Sequence, residues 1–336
     1  MNICILGAGS WGSALSMVLA DNGHQVKLWT RNEDQCHQIN AMHTNPKYLK
    51  EAVLSDAIVA TTDLKAAIAD TAVVVIAVAS QSIRSVLEQT GGCIMPSQIV
   101  VNVSKGIEVG SLDRISEIVT EFYPVVKFVA LSGPSHAEEV AAKLPTTLVS
   151  SSVDLETAEF IQDLFNTEYM RIYTNTDIIG VELGGALKNI IALGAGISDG
   201  MGFGDNSKAA LMTRGIREIS LLGEKMGADM SSFSGLSGIG DLIVTCTSMH
   251  SRNRRCGILI GEGMPVDEAV AKIGMVVEGI YTIRSAYDLS LKYNVEMPIT
   301  HALYHVVYEG VDARDAVKSL MTRAKKHEME AQFRLV

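Results

Sequence analysis

One lysine stands in a helical stripe of residues that cannot solvate it. Val181, Gly184, Gly185, Lys188, Ala192 and Ala195 recur at i, i+3 and i+4 spacing and share one helix face. Small neighbours let another backbone pack close, which removes an ammonium from water, lowers its pKa toward neutrality and makes it a general acid or base. A lysine whose stem lies along an apolar face with its head at the helix edge has the same pattern. Asn189 beside it, and glycines that weaken the helix, favour chemistry. That chemistry is proton movement at a carbinol oxygen while hydride moves at carbon.

A hydride carrier is indicated at the other end of the chain. The apolar run 2–6 leads directly into Gly7-Ala8-Gly9-Ser10-Trp11-Gly12, a G-x-G-x-x-G between a strand and a helix. Gly7 permits the tight turn, Gly9 lets the backbone approach a pyrophosphate and Gly12 lets helix and strand pack closely, with free helix N–H groups facing the anion. The next strand ends Leu28-Trp29-Thr30-Arg31-Asn32. An arginine there accommodates a 2′-phosphate where an acid would grip a ribose hydroxyl, so Arg31 predicts NADPH in preference to NADH. Glu33 and Asp34, close behind, keep NADH open.

A third cluster suits a phosphorylated substrate. Ser251-Arg252-Asn253-Arg254-Arg255 is a basic island in an acidic chain. Arg252 is the expected phosphate contact, its planar fork suiting an anion, while Arg254 and Arg255 read as a solvated helix face. Asp241 can orient Lys188 or accept a substrate hydroxyl; an N-cap is its other reading. Ser104-Lys105-Gly106 puts a lysine at a strand's C-terminal end, within reach of an anion or carbonyl. His301 and His305 are spaced i, i+4 but lack a third ligand, so no metal is expected.

These groups need a scaffold that brings them together. A chain of 336 residues, 47% hydrophobic, exceeds one core, so two domains are expected. Short β-branched runs at 25–29, 58–61, 73–78, 99–104, 128–132 and 146–152 alternate with helical patterns, the rhythm of a doubly wound parallel sheet. Runs 73–78 and 99–103 are continuously apolar, as strands covered on both faces should be. Ligands of such sheets bind beyond strand C-termini, so the loops 7–12, 30–32, 104–106 and 132–136 should converge on one cleft. Beyond 177 the pattern is helical, giving a Rossmann-type domain over 1–177 and an all-helical domain over 178–336, with helices near 178–197, 206–226, 253–262, 266–272, 279–292 and 298–309.

The formal charge of −10 argues against nucleic-acid binding. The longest strongly apolar run, 72–79, is too short to cross a membrane, and the N-terminus lacks the basic region of a signal peptide. Five cysteines without C-x-x-C spacing suit a reducing compartment. A cytoplasmic chain is expected, and the apolar helical half predicts a homodimer.

Gly7–Ala14, Val103-Ser104-Lys105-Gly106, Leu131–Ala137, Val181–Asn189 and Ser251-Arg252-Asn253 together resemble the bacterial NAD(P)-dependent glycerol-3-phosphate dehydrogenases over nearly the whole chain. The resemblance implies reversible hydride transfer between NAD(P)H and C2 of dihydroxyacetone phosphate, giving sn-glycerol 3-phosphate for phospholipid synthesis. It implies Lys188 as proton donor and acceptor, with Lys105 and Asp241 holding the geometry. Lys105, Gly133, Ser135, Lys188, Asn189, Asp241, Thr245, Ser251, Arg252 and Asn253 match substrate-contacting positions. Ser10, Trp11, Arg31, Lys105, Ala137, Arg252, Val276 and Glu278 match positions that contact the cofactor. A related dehydrogenase acting on a β-hydroxyacid or phosphorylated sugar acid, and a non-catalytic NADPH-binding sensor, are the competing readings.

Overall fold

The computed structural model describes residues 1–325, 327 and 328. Its first half runs β1 (Asn2–Leu6), α1 (Ser10–Asp21), β2 (Gln25–Trp29), α2 (Glu33–Met42), β3 (Thr44–Asn45), β4 (Leu49–Val53), β5 (Ile58–Thr61), α3 (Leu64–Ile68), β6 (Val73–Ile76), α4 (Ile83–Thr90) and β7 (Ile99–Asn102). It continues α5 (Ile115–Phe122), β8 (Lys127–Ser132), α6 (Ala137–Ala141), β9 (Thr146–Ser151), α7 (Leu155–Phe165) and β10 (Met170–Asn175). Then come α8 (Ile178–Gly200), α9 (Asp205–Lys225), α10 (Asp241–Thr247), α11 (Arg252–Gly261), α12 (Val266–Ile273), α13 (Glu278–Tyr293), α14 (Pro298–Tyr308) and α15 (Ala313–Met321).

The order β10-β9-β8-β7-β6-β1-β2-β5 makes one eight-stranded sheet. The apolar runs occupy its middle because both their faces are covered. Ile3 and Ile5 of β1 join a core with α1, α2, α6 and α7, while Cys4 and Leu6 face α3, α4 and α5. The six strands from β5 to β8 in this order are parallel, with β1 in register with β2 and β6. β9 pairs antiparallel with β8, a departure from the all-parallel expectation, and β10 lies parallel to β9. Residues 133–145 are spent on a loop and the short α6, so the chain turns back instead of crossing over. Strand β10 and the hairpin β3–β4 escape the sequence reading because polar residues interrupt both.

The second half is built around α8, which is buried nearly throughout. Helices α9, α10, α11 and α13 pack on it. Against α11 the approach is backbone to backbone: a Cβ on Gly196 would lie 2.0 Å from the Arg254 carbonyl, and one on Gly257 2.1 Å from that of Leu193. By length and composition α8 could cross a membrane, a possibility the sequence reading missed because its glycines break the apolar run; 89% of that window is buried inside the protein. The sequence reading also passed over α10 and α15, both short helices.

Candidate active site

The glycine turn meets different demands at its three positions. Gly7 has φ +121°, and a Cβ there would sit 2.7 Å from the Ala77 carbonyl. At Gly12 the Cβ would lie 2.0 Å from the Gly7 carbonyl, so α1 rests directly on the turn. A Cβ at Gly9 would meet nothing within 4 Å. No protein atom therefore demands glycine at that position. The first turn of α1 has no side-chain cap, so its N–H groups face open space, as a pyrophosphate site requires. Ser10 donates its hydroxyl to the Tyr48 carbonyl (3.0 Å), tying the turn to the β3–β4 hairpin.

The four predicted loops converge on one cleft of about 1020 Å³ that is also lined by the helical half. Gly7, Gly9, Ser10, Trp11 and Ala137 line it from the sheet side, with exposed Arg31 where β2 ends. Ser135 lines it too and donates to the Gly133 carbonyl (3.0 Å). Two predicted residues do not face the cleft. Gly12, in the first turn of α1, is packed against the Gly7 carbonyl, and Gly133, at φ +136° against β9, takes part through its carbonyl alone.

Lys188 does not reach out to solvent: it is 6% exposed. Its Nζ donates to Asp241 Oδ1 (2.6 Å) and to Thr245 Oγ1 (2.5 Å). Lys105 Nζ donates to Asp241 Oδ2 (2.5 Å) and to the Gly133 carbonyl (2.9 Å). Asp241 opens α10 yet caps no N–H with its side chain, so pairing with lysine is its structural role. Burial pushes the Lys188 pKa down to about 8, against the opposing pull of Asp241. Burial would push Asp241 up, but Lys105 and then Lys188 more than offset it and hold the carboxyl below its usual range. The result is a carboxylate between two ammonium groups, one of them poised to lose its proton near neutral pH.

The far wall is polar and mostly tied up. Asn253 donates to Asn189 Oδ1 (2.9 Å) and accepts the Gly279 N–H (2.8 Å), while Ser251 caps α11. Glu278 accepts the Ser80 N–H (2.9 Å) and hydroxyl (2.5 Å), joining α13 to the loop after β6. Burial raises the Glu278 pKa. Arg252 is different: among the described residues no carboxylate lies within ion-pair distance of it, Glu138 and Glu278 acting only from further off, and its hydrogen bond is to the Val276 carbonyl at 3.5 Å. A half-buried guanidinium left in this way is a site for an anion.

One expectation fails here. Arg254 is no solvated charge, because it binds Asp199 at 2.9 and 2.7 Å and donates to the Thr247 carbonyl (3.0 Å), anchoring α11 to α8. His301 and His305 are engaged with Ser290 and Glu309. The cleft also holds residues the sequence did not single out. Tyr48 and Lys47 come from the unforeseen hairpin, and the His136 ring lies tilted against that of His250, 5.5 Å between centroids, across the two halves. Only its place in the marked loop after β8 hinted at His136.

A Rossmann-type sheet whose glycine turn shares a cleft with a buried lysine–aspartate pair on a helical lobe defines a nicotinamide-dinucleotide dehydrogenase of two-lobed architecture. Comparisons with known proteins give the family. Residues 2–158 match the N-terminal model of NAD-dependent glycerol-3-phosphate dehydrogenase and residues 177–318 its C-terminal model. The chain belongs to this family. It is 55% identical over 331 residues to glycerol-3-phosphate dehydrogenase [NAD(P)+] of Bacillus subtilis, covering 98% of this chain and 96% of that protein. The corresponding Geobacillus kaustophilus protein is 54% identical over 332 residues, with the same coverage. The crystal structure of glycerol-3-phosphate dehydrogenase from Coxiella burnetii superimposes with a TM-score of 0.93 at 37% identity, covering 96% of this chain and 99% of that one.

Proposed function

We propose that this chain reduces dihydroxyacetone phosphate to sn-glycerol 3-phosphate, reversibly at C2, with NADPH preferred over NADH. The carrying observation is the Lys188–Asp241–Lys105 cluster in the same cleft as the glycine turn and the unpaired Arg252. Family membership supports the substrate pair, and the names of its relatives support a nicotinamide cofactor. Bound NAD(P)H supplies the hydride.

Lys188, protonated, gives its proton to the ketone oxygen and recovers it in the reverse direction. Thr245 and Asp241 fix the direction of its N–H bonds, and Asp241 keeps Lys105 at the opposite side of the reacting centre. Arg252 anchors the phosphate, with Ser251, Asn253 and Asn189 beside it and Gly133 and Ser135 on the facing loop. Ser10, Trp11, Arg31, Ala137, Val276 and Glu278 hold the dinucleotide. Supply of phospholipid synthesis and a homodimeric state belong to the same reading.

Initial rates with dihydroxyacetone phosphate and each reduced cofactor test it, with 3-oxo acids as controls. Turnover of the phosphoketone is expected. Turnover of an oxo acid alone, or dinucleotide binding with no turnover at all, overturns the proposal.

A further inference from the structure

Glu182 precedes Lys188 on α8 by less than two turns. Its carboxylate is 5% exposed and reaches into the sheet half. Oε1 accepts the Ser116 N–H (2.8 Å), while Oε2 accepts the Ser116 hydroxyl (2.6 Å) and the Arg114 guanidinium (2.8 Å). The Arg114 side chain is itself only 11% exposed. A buried ion pair of this kind is no more stabilising than a well-packed apolar contact, and fixing one arrangement over others is a recognised use of it. What it fixes here can be traced along the chain.

Arg114 forms a backbone bridge to Ile107, and the Glu108 N–H donates to the Asp113 carbonyl (3.0 Å), closing 107–114 into a tight loop. Lys105 lies two residues before that bridge. The loop is therefore attached at one end to β7, and at the other to the helix that carries Lys188. Lys105 and Lys188 meet on opposite oxygens of Asp241, and since Lys188 and Asp241 both belong to the helical half, a slip of the loop along α8 withdraws Lys105 from a pair that stays closed.

We infer that Glu182 is a positioning residue for proton transfer, holding the Lys105 loop against α8 so that Asp241 accepts from both lysines at once. This rests on the function proposed above, and the test separates the two.

Glu182→Gln keeps the volume but removes the charge that Arg114 and Ser116 address. The kcat for reduction should fall roughly ten- to hundredfold, the cost of a small displacement of reacting groups, with the KM for NADPH nearly unchanged. Glu182→Asp should recover part of the loss. A readout independent of turnover is the pH dependence of trace acetylation of Lys188, followed by mass spectrometry. Withdrawing Lys105 removes a neighbouring positive charge that disfavours the Lys188 ammonium while Asp241 stays beside it, so the Lys188 transition should move to higher pH. Should Glu182→Gln fail to fold, Ser116→Ala, which deletes one bond to the carboxylate, is expected to move both readouts in the same direction by less. Wild-type kcat and an unmoved Lys188 transition in a folded variant, even one that melts earlier, overturn the inference. A moved transition in a protein that does not turn over dihydroxyacetone phosphate supports the inference and defeats the proposed function instead.

Discussion

Lys188 and Asp241 meet at 2.6 Å with both side chains buried, and the second oxygen of the same carboxylate is held by Lys105. One anion thus balances two cations, leaving the pocket with a surplus positive charge that suits a ketone oxygen gaining electron density. Burial and the neighbouring Lys105 disfavour the Lys188 ammonium while Asp241 favours it, so its proton is neither locked nor lost at neutral pH.

Removal of that amine should end turnover without emptying the cleft. Lys188→Ala leaves the glycine turn intact and Asp241 still paired with Lys105. A drop in kcat of about a thousandfold or more is expected, in the range of a lost general acid, with NADPH binding by fluorescence titration close to normal. Near-normal kcat would remove Lys188 from its role.

The pH dependence should have opposite signs in the two directions. With a pKa of about 8, Lys188 is protonated below that value and neutral above it. Reduction needs the protonated form, so its kcat should fall as pH rises through about 8. Oxidation needs the neutral amine and should rise over the same window. Profiles in both directions that share a sign would exclude a single residue acting as donor and acceptor.

Gly12 is tested by one methyl group. In Gly12→Ala the new Cβ would stand 2.0 Å from the Gly7 carbonyl, a backbone atom that cannot swing aside. The turn or α1 must move, so dinucleotide affinity and melting temperature should fall together, by roughly 1–3 kcal/mol of stability as for other overpacked sites. Gly9→Ala has room in the protein and should cost cofactor affinity with little change in melting temperature. Equal melting losses in the two variants would contradict this division.

The difference between what was legible in the sequence and what was not follows the range of the interactions. The inner strands are legible because continuous apolar runs have few alternatives, and Lys188 because its small neighbours repeat with the helix. Lys105 and Asp241 are individually visible, but their ion pair joins residues 136 positions apart and has no local signature. Arg254 was misread because its partner, Asp199, lies on another helix. The β3–β4 hairpin, which brings Tyr48 to the cleft, is short and polar and held by Ser10 from outside, so its pattern is that of a loop.

Arg252 should separate phosphate recognition from chemistry. Its guanidinium makes no ion-pair contact among the described residues, so Arg252→Ala breaks no salt bridge, although it takes away a charge that favours the ionised form of buried Glu278. The KM for dihydroxyacetone phosphate should rise roughly ten- to hundredfold, the worth of a charge-assisted hydrogen-bond pair, with a smaller loss of cofactor affinity. An unchanged KM for the phosphorylated substrate would take Arg252 out of that role.

Arg31 bears on the choice of cofactor. It is exposed at the end of β2, lines the cleft and has no ion pair among the described residues, so its charge is available to a 2′-phosphate. Glu33 and Asp34 follow it at the start of α2, where the helix N-terminus already stabilises them. Arg31→Ala should therefore raise the KM for NADPH while leaving that for NADH nearly unchanged. Because the arginine is exposed and screened, the expected rise is nearer tenfold than a hundredfold, about 1.4 kcal/mol. Added salt should shrink the difference between wild type and variant, since it weakens an exposed ionic contact and leaves the rest of the dinucleotide site alone. A variant that loses NADH and NADPH equally would show that Arg31 shapes the loop rather than reads the phosphate.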